Sequence, residues 1–310
     1  MGGRLALLCP GQGAQGPAMF DLARSDPAAS ALLDGWLAGA GLDAPLDAIL
    51  ADPRLLFANC HAQPLIVAAT LATWMALGPV AAQPAIVAGY SIGELSAYAV
   101  AGALASADAV RLARQRAALM DVCLGDAPPQ SLVAVSGIAV DAAAQIARLH
   151  GFYPAIDTAE DSLVAGGPLA AREAFMEEAG AAGARATVLP VTVASHTPFM
   201  AGAVAPFAAL LRAQDLTNPQ APVLSGIAAE PVHDKDKAIG HLSRQLAEPV
   251  LWRGCMDALA EAGVTLALEL GPGAALARML GGRHPGIACR SVADFRSLQG
   301  VRTWLEKHGE

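Results

Sequence analysis

The sequence has few charged residues and few aromatic ones. Charged side chains make up 15% of its 310 residues and aromatic side chains 5%, whereas hydrophobic residues make up 54%. A chain with this composition can bury enough apolar surface to fold, so a disordered protein is excluded. The formal net charge is −8, and no run of lysine or arginine occurs, so a nucleic-acid partner is not expected. We expect an acidic, compact protein.

Cysteine is scarce, and long hydrophobic runs are missing. The five cysteines are odd in number, lie far apart and never occur in C-x-x-C spacing, so neither a disulfide framework nor a metal site is predicted. The most apolar segment, PLIVAATLATWMAL at 64–77, is too short for a membrane span and predicts a buried helix. The apolar run near the start is too short for a signal-peptide core. We therefore expect a cytoplasmic protein.

Short apolar runs alternate with longer helical patterns along the chain. The runs are LALLC at 5–9, AIVAG at 85–89, APVLSGI at 221–227 and TLALEL at 265–270. Strands separated by helices predict a mainly parallel sheet that is covered on both faces. Functional loops are then expected at the carboxyl ends of these strands.

A second pattern is nested inside the first, from about 131 to 190. Its strand, helix, strand, strand, helix, strand order is that of a ferredoxin-like unit. We therefore predict a large α/β-hydrolase-like domain with a mainly parallel sheet, formed by 1–126 and 191–310, and an inserted small ferredoxin-like (βαββαβ) domain at 127–190. A ligand site is expected in the cleft between them, because ligand sites favour domain junctions.

The segment VAGYSIGEL places a serine between two glycines at the end of a predicted strand. Gly89, Ser91 and Gly93 fit a sharp strand-to-helix turn, in which bulky neighbours would clash and the serine oxygen is exposed above the sheet. This spacing predicts a nucleophile at Ser91. An ordinary loop serine is the alternative, because G-x-S-x-G also arises by chance in glycine-rich chains.

A serine nucleophile needs a base, and histidine is the usual one because its pKa lies near neutrality. His196 is the candidate, because it directly follows the last strand of the inserted unit, where the chain returns to the large domain beside the cleft. A packed core histidine is the alternative there. The other six histidines lie in contexts that favour surface or capping roles: His61, His150, His233, His241, His284 and His308.

Acyl transfer through a serine also needs donors for the oxyanion. The backbone N–H of Ile92, directly after the serine, is one candidate. The loop PGQGAQ at 10–15 leaves the first strand and can bring a second N–H close, which we place at Gln12. A tight turn without a catalytic role is the alternative for this loop.

Six motifs occur in an order and spacing that resemble those of malonyl-CoA:acyl carrier protein transacylases. They are PGQGAQ at 10–15, GYSIGE at 89–94, RLARQRAALM at 111–120, VASHTPFM at 193–200, RQLAEPVLW at 244–252 and ELGPGAAL at 269–276. The resemblance covers nearly the whole chain. It implies an enzyme that moves the malonyl group from malonyl-CoA to the prosthetic-group thiol of an acyl carrier protein, with no permanently bound cofactor.

The resemblance also implies a role for each matched residue. Ser91 would form the acyl-enzyme, and His196 would act as base and then as acid. Arg116 matches the arginine that pairs with the free malonyl carboxylate, for which a guanidinium is a bidentate, always-charged partner. Gln245 matches the residue that orients the histidine, where a hydrolase triad would place an aspartate. Gln12 and the residue after the nucleophile match the oxyanion hole.

Two positions depart from the family pattern. Tyr90 stands where the family commonly has histidine, and Asp157 stands where it often has asparagine. Tyr90 and the ending SVADFRSLQGVRTWLEKH resemble the epsilon subunit of malonate decarboxylase, which transfers malonyl to that enzyme's acyl carrier subunit. We predict this subunit as the finer assignment, with a transacylase of fatty-acid or polyketide synthesis as the alternative.

Two other classes of protein stay open at this point. A serine thioesterase would use Ser91 and His196, but Arg116 has no purpose in a neutral ester pocket. A non-catalytic carrier-docking subunit would not need the full set of candidate residues. The sequence leaves open the physiological carrier, the oligomeric state and the selectivity between malonyl and methylmalonyl groups.

Overall fold

Two β-sheets organise the protein, and the computed structural model describes residues 3–78, 83–125 and 128–309. In chain order the strands are β1 (Leu5–Cys9), β2 (Ile86–Gly89), β3 (Gln130–Ser136), β4 (Tyr153–Ala159), β5 (Ser162–Pro168), β6 (Arg185–Val188), β7 (Val223–Leu224), β8 (Pro231–Val232), β9 (Val250–Leu251), β10 (Leu266–Glu269) and β11 (Ala288–Ser291). The first sheet has the order β11-β10-β1-β2-β7-β8, and the second has the order β6-β3-β5-β4-β9.

Helices surround both sheets. They are α1 (Asp21–Arg24), α2 (Pro27–Gly39), α3 (Leu46–Ala51), α4 (Pro53–Leu56), α5 (Asn59–Leu77), α6 (Gly93–Val100), α7 (Ser106–Val122), α8 (Val140–Leu149), α9 (Arg172–Ala181), α10 (Ala201–Arg212), α11 (Lys235–Arg244), α12 (Trp252–Glu261), α13 (Ala275–Arg283) and α14 (Leu298–Gly309).

The first sheet is parallel except for β8, which pairs antiparallel with β7. The central strand β1 shows how both faces of this sheet are buried. Leu5 and Leu7 pack into the hydrophobic cluster on one face, whereas Ala6 and Leu8 pack into the cluster on the other. Successive side chains of a strand point to opposite faces. The predicted mainly parallel sheet, covered on both faces, is confirmed.

Helix α5 is longer than the sequence predicts, because it begins at Asn59 rather than at residue 64. Within the described part of the chain, it is the one helix whose length and composition would allow it to cross a membrane. However, 83% of its most apolar window is buried inside the protein. It packs against α2 and α7, and a helix that is apolar all round is typical of such a buried position. The predicted buried helix is therefore present.

The second sheet confirms the ferredoxin-like unit. Strand β3 pairs antiparallel with β5 and β6, and β4 pairs antiparallel with β5, while α8 and α9 are the two helices of the unit. Strand β9 adds to β4 in parallel from outside 127–190, so the sheet extends beyond the predicted insertion. The predicted boundary between residues 126 and 127 lies outside the described residues. The division into domains stays a prediction.

The remaining differences concern short strands. Strand β7 occupies only two residues of the predicted run at 221–227. Strand β11 was not predicted, because its sequence ACRS contains Arg290 and forms no apolar run. This strand lies at the edge of the first sheet, and three of its four residues are only half-buried, so it does not need a continuous apolar run.

The turn between β2 and α6 brings three backbone segments unusually close together. A Cβ atom at Gly93 would lie 2.1 Å from the carbonyl oxygen of Cys9, and one at Gly89 would lie 2.2 Å from the backbone nitrogen of Glu94. Real side chains do not approach so closely, so only glycine permits this packing. The strand-to-helix turn expected from the G-x-S-x-G spacing is present.

We predict that Gly93→Ala lowers the free energy of unfolding by about 3 kcal/mol, because the added methyl group overlaps the end of β1. Urea unfolding measures this change. Gly35→Ala in α2 is the matched control, because a Cβ at Gly35 meets open space, and it should raise stability by about 0.5–1 kcal/mol. Wild-type stability of Gly93→Ala would contradict the close approach.

Candidate active site

Ser91 occupies the first turn position after β2, with a φ of 56°. The left-handed region is uncommon for a residue with a side chain and costs about 1–3 kcal/mol. Such a conformation persists only where the surroundings enforce it, and here the close packing at Gly89 and Gly93 does so. The predicted nucleophile therefore has a fixed backbone position at the carboxyl end of a central strand.

His196 follows β6 and also has a left-handed backbone, with a φ of 63°. Its Nε2 lies 2.7 Å from Ser91 Oγ, and its Nδ1 lies 2.6 Å from the backbone oxygen of Gln245. A carbonyl oxygen can only accept a hydrogen bond, so Nδ1 carries the proton and Nε2 is left to accept from the serine hydroxyl. The structure thus brings the three predicted residues together in the order that general-base chemistry requires.

The His196 ring is buried and is held neutral. Burial lowers the pKa of His196 to about 3, the nearby charge of Arg116 lowers it as well, and the hydrogen bond to the Gln245 carbonyl opposes this shift. A neutral imidazole is the form that can accept a proton. The orienting group is therefore a backbone carbonyl, and the histidine needs no carboxylate partner to hold its ring.

The two predicted oxyanion residues line the same cavity as Ser91. Within the described residues, the backbone N–H groups of Gln12 and Ile92 donate to no protein acceptor. The Gln12 side chain donates to the carbonyl of Phe57 at 3.2 Å, which anchors the loop after β1. Backbone donors that converge beside a nucleophile can stabilise a developing negative charge.

Arg116 lies on α7 and is only 3% exposed. Its Nη1 donates to Gln63 Oε1 at 2.8 Å and contacts Met120 Sδ at 3.3 Å, and its Nη2 donates to Gln245 Oε1 at 3.4 Å. Burial lowers the pKa of Arg116 to about 10, although the charge of Glu94 opposes this shift. The guanidinium therefore stays protonated at neutral pH, and its partners here are neutral groups.

The cavity joins these groups and is closed by apolar side chains of the second sheet. Leu132, Ile156 and Val164 line it beside Ser91 and Arg116. Residues of strands β3, β4 and β5 and of the loops after β1 and β2 thus line the same cavity. The cleft predicted between the two parts of the chain contains the candidate site.

Of the two departures from the family pattern, one lies at the cavity and one does not. Tyr90 lines the cavity and packs edge-on against Trp252, with ring centroids 5.2 Å apart. Asp157 instead forms an ion pair with Arg253 at 2.8 Å, which links β4 to α12. Asp157 is not among the residues that line the cavity.

Two histidines for which surface or capping roles are expected are buried. His61 is 3% exposed, and its ring bonds Asp43 and the carbonyl of Leu55. His241 is 8% exposed, and its Nδ1 lies 2.8 Å from Ser225 Oγ. Both lie on helices whose inner faces pack into the core, which single positions in the sequence do not reveal.

Among the described residues, Asp43, Cys60 and His61 form a group of potential metal ligands whose donor atoms lie within 4.8 Å of each other. The Nδ1 of His61 faces a backbone carbonyl, and its Nε2 faces the Asp43 carboxylate. A carbonyl oxygen can only accept a hydrogen bond, so Nδ1 donates to Leu55, and Nε2 is already occupied by its contact with Asp43. This cluster is better explained as a hydrogen-bonded structural group.

Sequence reasoning missed three polar residues around the arginine. Asn59 and Gln63 lie one turn apart on α5 and line the cavity, and Glu94 lies three residues after the serine. The i, i+4 spacing of the two amides within an apolar helix was an available signal. Glu94 belongs to the GYSIGE motif, but nothing local in the sequence indicates which distant side chain it contacts.

Comparison with known proteins identifies the family of the chain. Residues 6–293 match the acyl transferase domain family. The chain belongs to this family. A malonyl CoA-acyl carrier protein transacylase of Mycobacterium tuberculosis is 35% identical to this acyltransferase over 93% of its chain and 96% of the relative. An Escherichia coli protein of the same name is 31% identical, over 88% and 90% of the two chains.

Solved structures share the complete fold of this acyltransferase. The crystal structure of MCAT from Mycobacterium tuberculosis superimposes with a TM-score of 0.87 at 34% identity, covering 96% of this chain and 99% of the other. A malonyl-transacylase in complex with a type II PKS acyl-carrier protein superimposes with a TM-score of 0.89 at 28% identity, covering 98% and 99%. The predicted fold class is therefore confirmed.

We predict that the His196 ring does not titrate between about pH 5 and pH 8, whereas an unperturbed histidine changes charge near pH 6.5. The pKa is lowered, so the neutral form persists as the pH falls below 6.5. NMR of histidine-labelled protein measures this, and the His196→Gln variant assigns the resonance. A titration midpoint near 6.5 for that resonance would contradict the burial of the ring.

Proposed function

We propose that this acyltransferase transfers the malonyl group from malonyl-CoA to the phosphopantetheine-type thiol of an acyl carrier protein, through a malonyl-Ser91 intermediate. The observation that carries the proposal is the position of Arg116. A buried guanidinium lines the same cavity as the Ser91–His196 pair, although burying such a cation costs several kcal/mol. An anionic acyl group supplies the partner that makes this arrangement useful.

In the first half-reaction, His196 Nε2 takes the proton of Ser91 Oγ while that oxygen attacks the malonyl thioester carbonyl. The N–H groups of Gln12 and Ile92 receive the resulting oxyanion. The carbon–sulfur bond then breaks, and the proton on Nε2 passes to the sulfur of CoA. The Gln245 carbonyl stabilises the imidazolium that exists between these two proton transfers, because it accepts from Nδ1 at 2.6 Å.

The second half-reaction repeats these steps with a different sulfur. His196 removes the proton of the carrier thiol, the sulfur attacks the acyl carbonyl, and Ser91 leaves and regains the proton. Two covalent steps of this kind exchange one thioester for another without net oxidation or hydrolysis. The apolar wall of Leu132, Ile156 and Val164 supports transfer over hydrolysis, because it limits the space for water around the ester.

The finer assignment concerns the carrier. The relatives reported above carry the name of malonyl CoA-acyl carrier protein transacylases, and one solved relative is in complex with a type II PKS acyl-carrier protein. These findings favour the alternative of a transacylase of fatty-acid or polyketide synthesis over the epsilon subunit of malonate decarboxylase. The epsilon-subunit assignment, based on Tyr90 and the end of the sequence, stays a prediction without support from these relatives.

We predict that brief incubation with malonyl-CoA adds one malonyl group to the protein, and that Ser91→Ala abolishes this adduct. Intact-protein mass spectrometry measures the adduct. Adding a carrier protein with its thiol prosthetic group should then remove it and yield malonyl-carrier. Carriers from fatty-acid synthesis and from malonate decarboxylase, tested in parallel, distinguish the two assignments by their transfer rates.

Two results would overturn the proposal. Release of free malonate without a carrier would indicate a thioesterase, and absence of any adduct would indicate a docking subunit. The His196→Ala variant is the second control. If His196 and Ser91 act as a pair, removal of this base should slow loading by about 10³-fold or more.

We predict that Arg116→Ala lowers kcat/KM for malonyl-CoA by about 100-fold, because truncation of one partner of a buried charge pair costs about 2–5 kcal/mol. The value for acetyl-CoA should change by less than about 5-fold, since acetyl has no carboxylate. Parallel loading kinetics with both donors measure the selectivity.

Arg111→Ala is the matched control for helix α7. Arg111 lies on the same helix, but its partially exposed side chain pairs with Asp108 at 2.7 Å and Gln214 at 2.9 Å, away from the cavity. Its loss should leave the preference for malonyl-CoA unchanged. An unchanged preference in Arg116→Ala as well would remove Arg116 from the acyl pocket.

A further inference from the structure

We propose that Glu94 is a positioning residue that holds the side chain of Gln245, and through it sets the positions of both His196 and Arg116. The proposal deepens the function proposed above and rests on it for the roles of these two groups. Glu94 lies on α6, one turn after the nucleophile, whereas Gln245 follows α11 at a separation of 151 residues. The contact therefore joins the nucleophile's helix to the segment that orients the base.

Gln245 is the centre of the arrangement, because each of its polar groups has a different task. Its backbone oxygen accepts from His196 Nδ1 at 2.6 Å. Its side-chain Oε1 accepts from Arg116 Nη2 at 3.4 Å, and its Nε2 donates to Glu94 Oε2 at 2.5 Å. A guanidinium can only donate and a carboxylate oxygen accepts, so these two neighbours fix the orientation of the amide.

Glu94 is a buried carboxylate that accepts hydrogen bonds from other segments of the chain. It is fully buried, and its Oε2 also accepts from the backbone N–H of Gly226 at 2.9 Å, in the segment after β7. Its other oxygen has no hydrogen-bond partner among the described residues. A half-satisfied buried carboxylate is costly, which is difficult to explain by stability alone.

The charge of Glu94 complements that of Arg116 without direct contact. The Gln245 amide stands between them, with its oxygen toward the cation and its nitrogen toward the carboxylate. Burial raises the pKa of Glu94 to about 7, while the Gly226 N–H, Gln245 and Arg116 each oppose this shift. A direct ion pair would occupy the donors of the guanidinium, whereas the intervening amide orients Arg116 and leaves it able to bind a second carboxylate.

The test combines Glu94→Ala, Gln245→Ala and the double variant. The readout is the rate at which phenylmethanesulfonyl fluoride labels the serine, followed by intact mass, because this reaction needs the Ser91–His196 pair but no acyl donor. Each single variant should slow labelling by about 10-fold. The double variant should be no slower than the slower single variant, because Glu94 acts through the Gln245 side chain.

Two further variants separate positioning from a general loss of structure. Glu94→Gln should label within about 3-fold of wild type, because its amide oxygen can accept from both Gly226 and Gln245. Glu269→Gln is the matched control: Glu269 is also buried at the carboxyl edge of the first sheet, but it bonds the N–H of Ala277. It should label at the wild-type rate.

A second readout, the preference for malonyl-CoA over acetyl-CoA, reports on the position of Arg116. Glu94→Ala should lower loading from malonyl-CoA about 10-fold more than loading from acetyl-CoA, and this difference should vanish in the Arg116→Ala background. A merely structural role would slow both donors equally. Wild-type protein that accepts sulfonyl fluoride but not malonyl-CoA would refute the proposed function and leave the labelling test of Glu94 intact.

Three results would overturn the proposal: a wild-type labelling rate in Glu94→Ala, additive losses in the double variant, or an equal loss in Glu269→Gln. If Glu94→Ala does not fold, Gln245→Ala carries the test alone. Its backbone carbonyl survives the substitution, so slower labelling supports the side-chain anchor and an unchanged rate overturns it.

Discussion

The buried charge of Arg116 is the constraint to which the rest of the site conforms. Removing a guanidinium from water costs several kcal/mol, which other interactions must offset. A carboxylate in direct contact would do so, but it would also occupy the N–H donors of the guanidinium. Here two glutamine amides contact the cation instead. The Glu94 carboxylate lies beyond the Gln245 amide. On the other side, Asn59 accepts a hydrogen bond from Gln63 and donates one to Asp121 at 2.9 Å. The amides thus connect the cation to two carboxylates, of which Glu94 is the one whose charge opposes the lowering of the pKa of Arg116.

The strain of the catalytic segments has a separate cause. Ser91 and His196 both adopt left-handed backbones, and both conformations are imposed by backbone contacts rather than by their own side chains. The turn at Ser91 is set by the approach of Gly93 to the end of β1, and His196 is tied to the segment after α11 by the bond from its N–H to the carbonyl of Leu246 at 2.8 Å. The backbone contacts at the cavity therefore fix the positions of the catalytic side chains.

How much of this was predictable from the sequence depends on how far apart the interacting residues lie. The turn at Ser91 and the βαββαβ order were predictable, because glycine spacing and hydrophobic periodicity act over a few residues. The matched motifs also indicated which distant residues meet. The pairing of Glu94 with Gln245, the addition of β9 to β4 and the burial of His61 were not predictable, because each depends on tertiary packing.

Under the proposed function, the position of Arg116 also links substrate charge to base strength. Its cation lowers the pKa of His196, so the base is weaker than burial alone would make it. A malonyl carboxylate bound to the guanidinium cancels much of that charge, and the pKa of His196 then rises toward the value that burial permits. A base becomes more effective as its pKa approaches the working pH. Acetyl-CoA brings no such charge, so the arginine discriminates between the two donors twice: when the acyl group binds, and again when the serine is deprotonated.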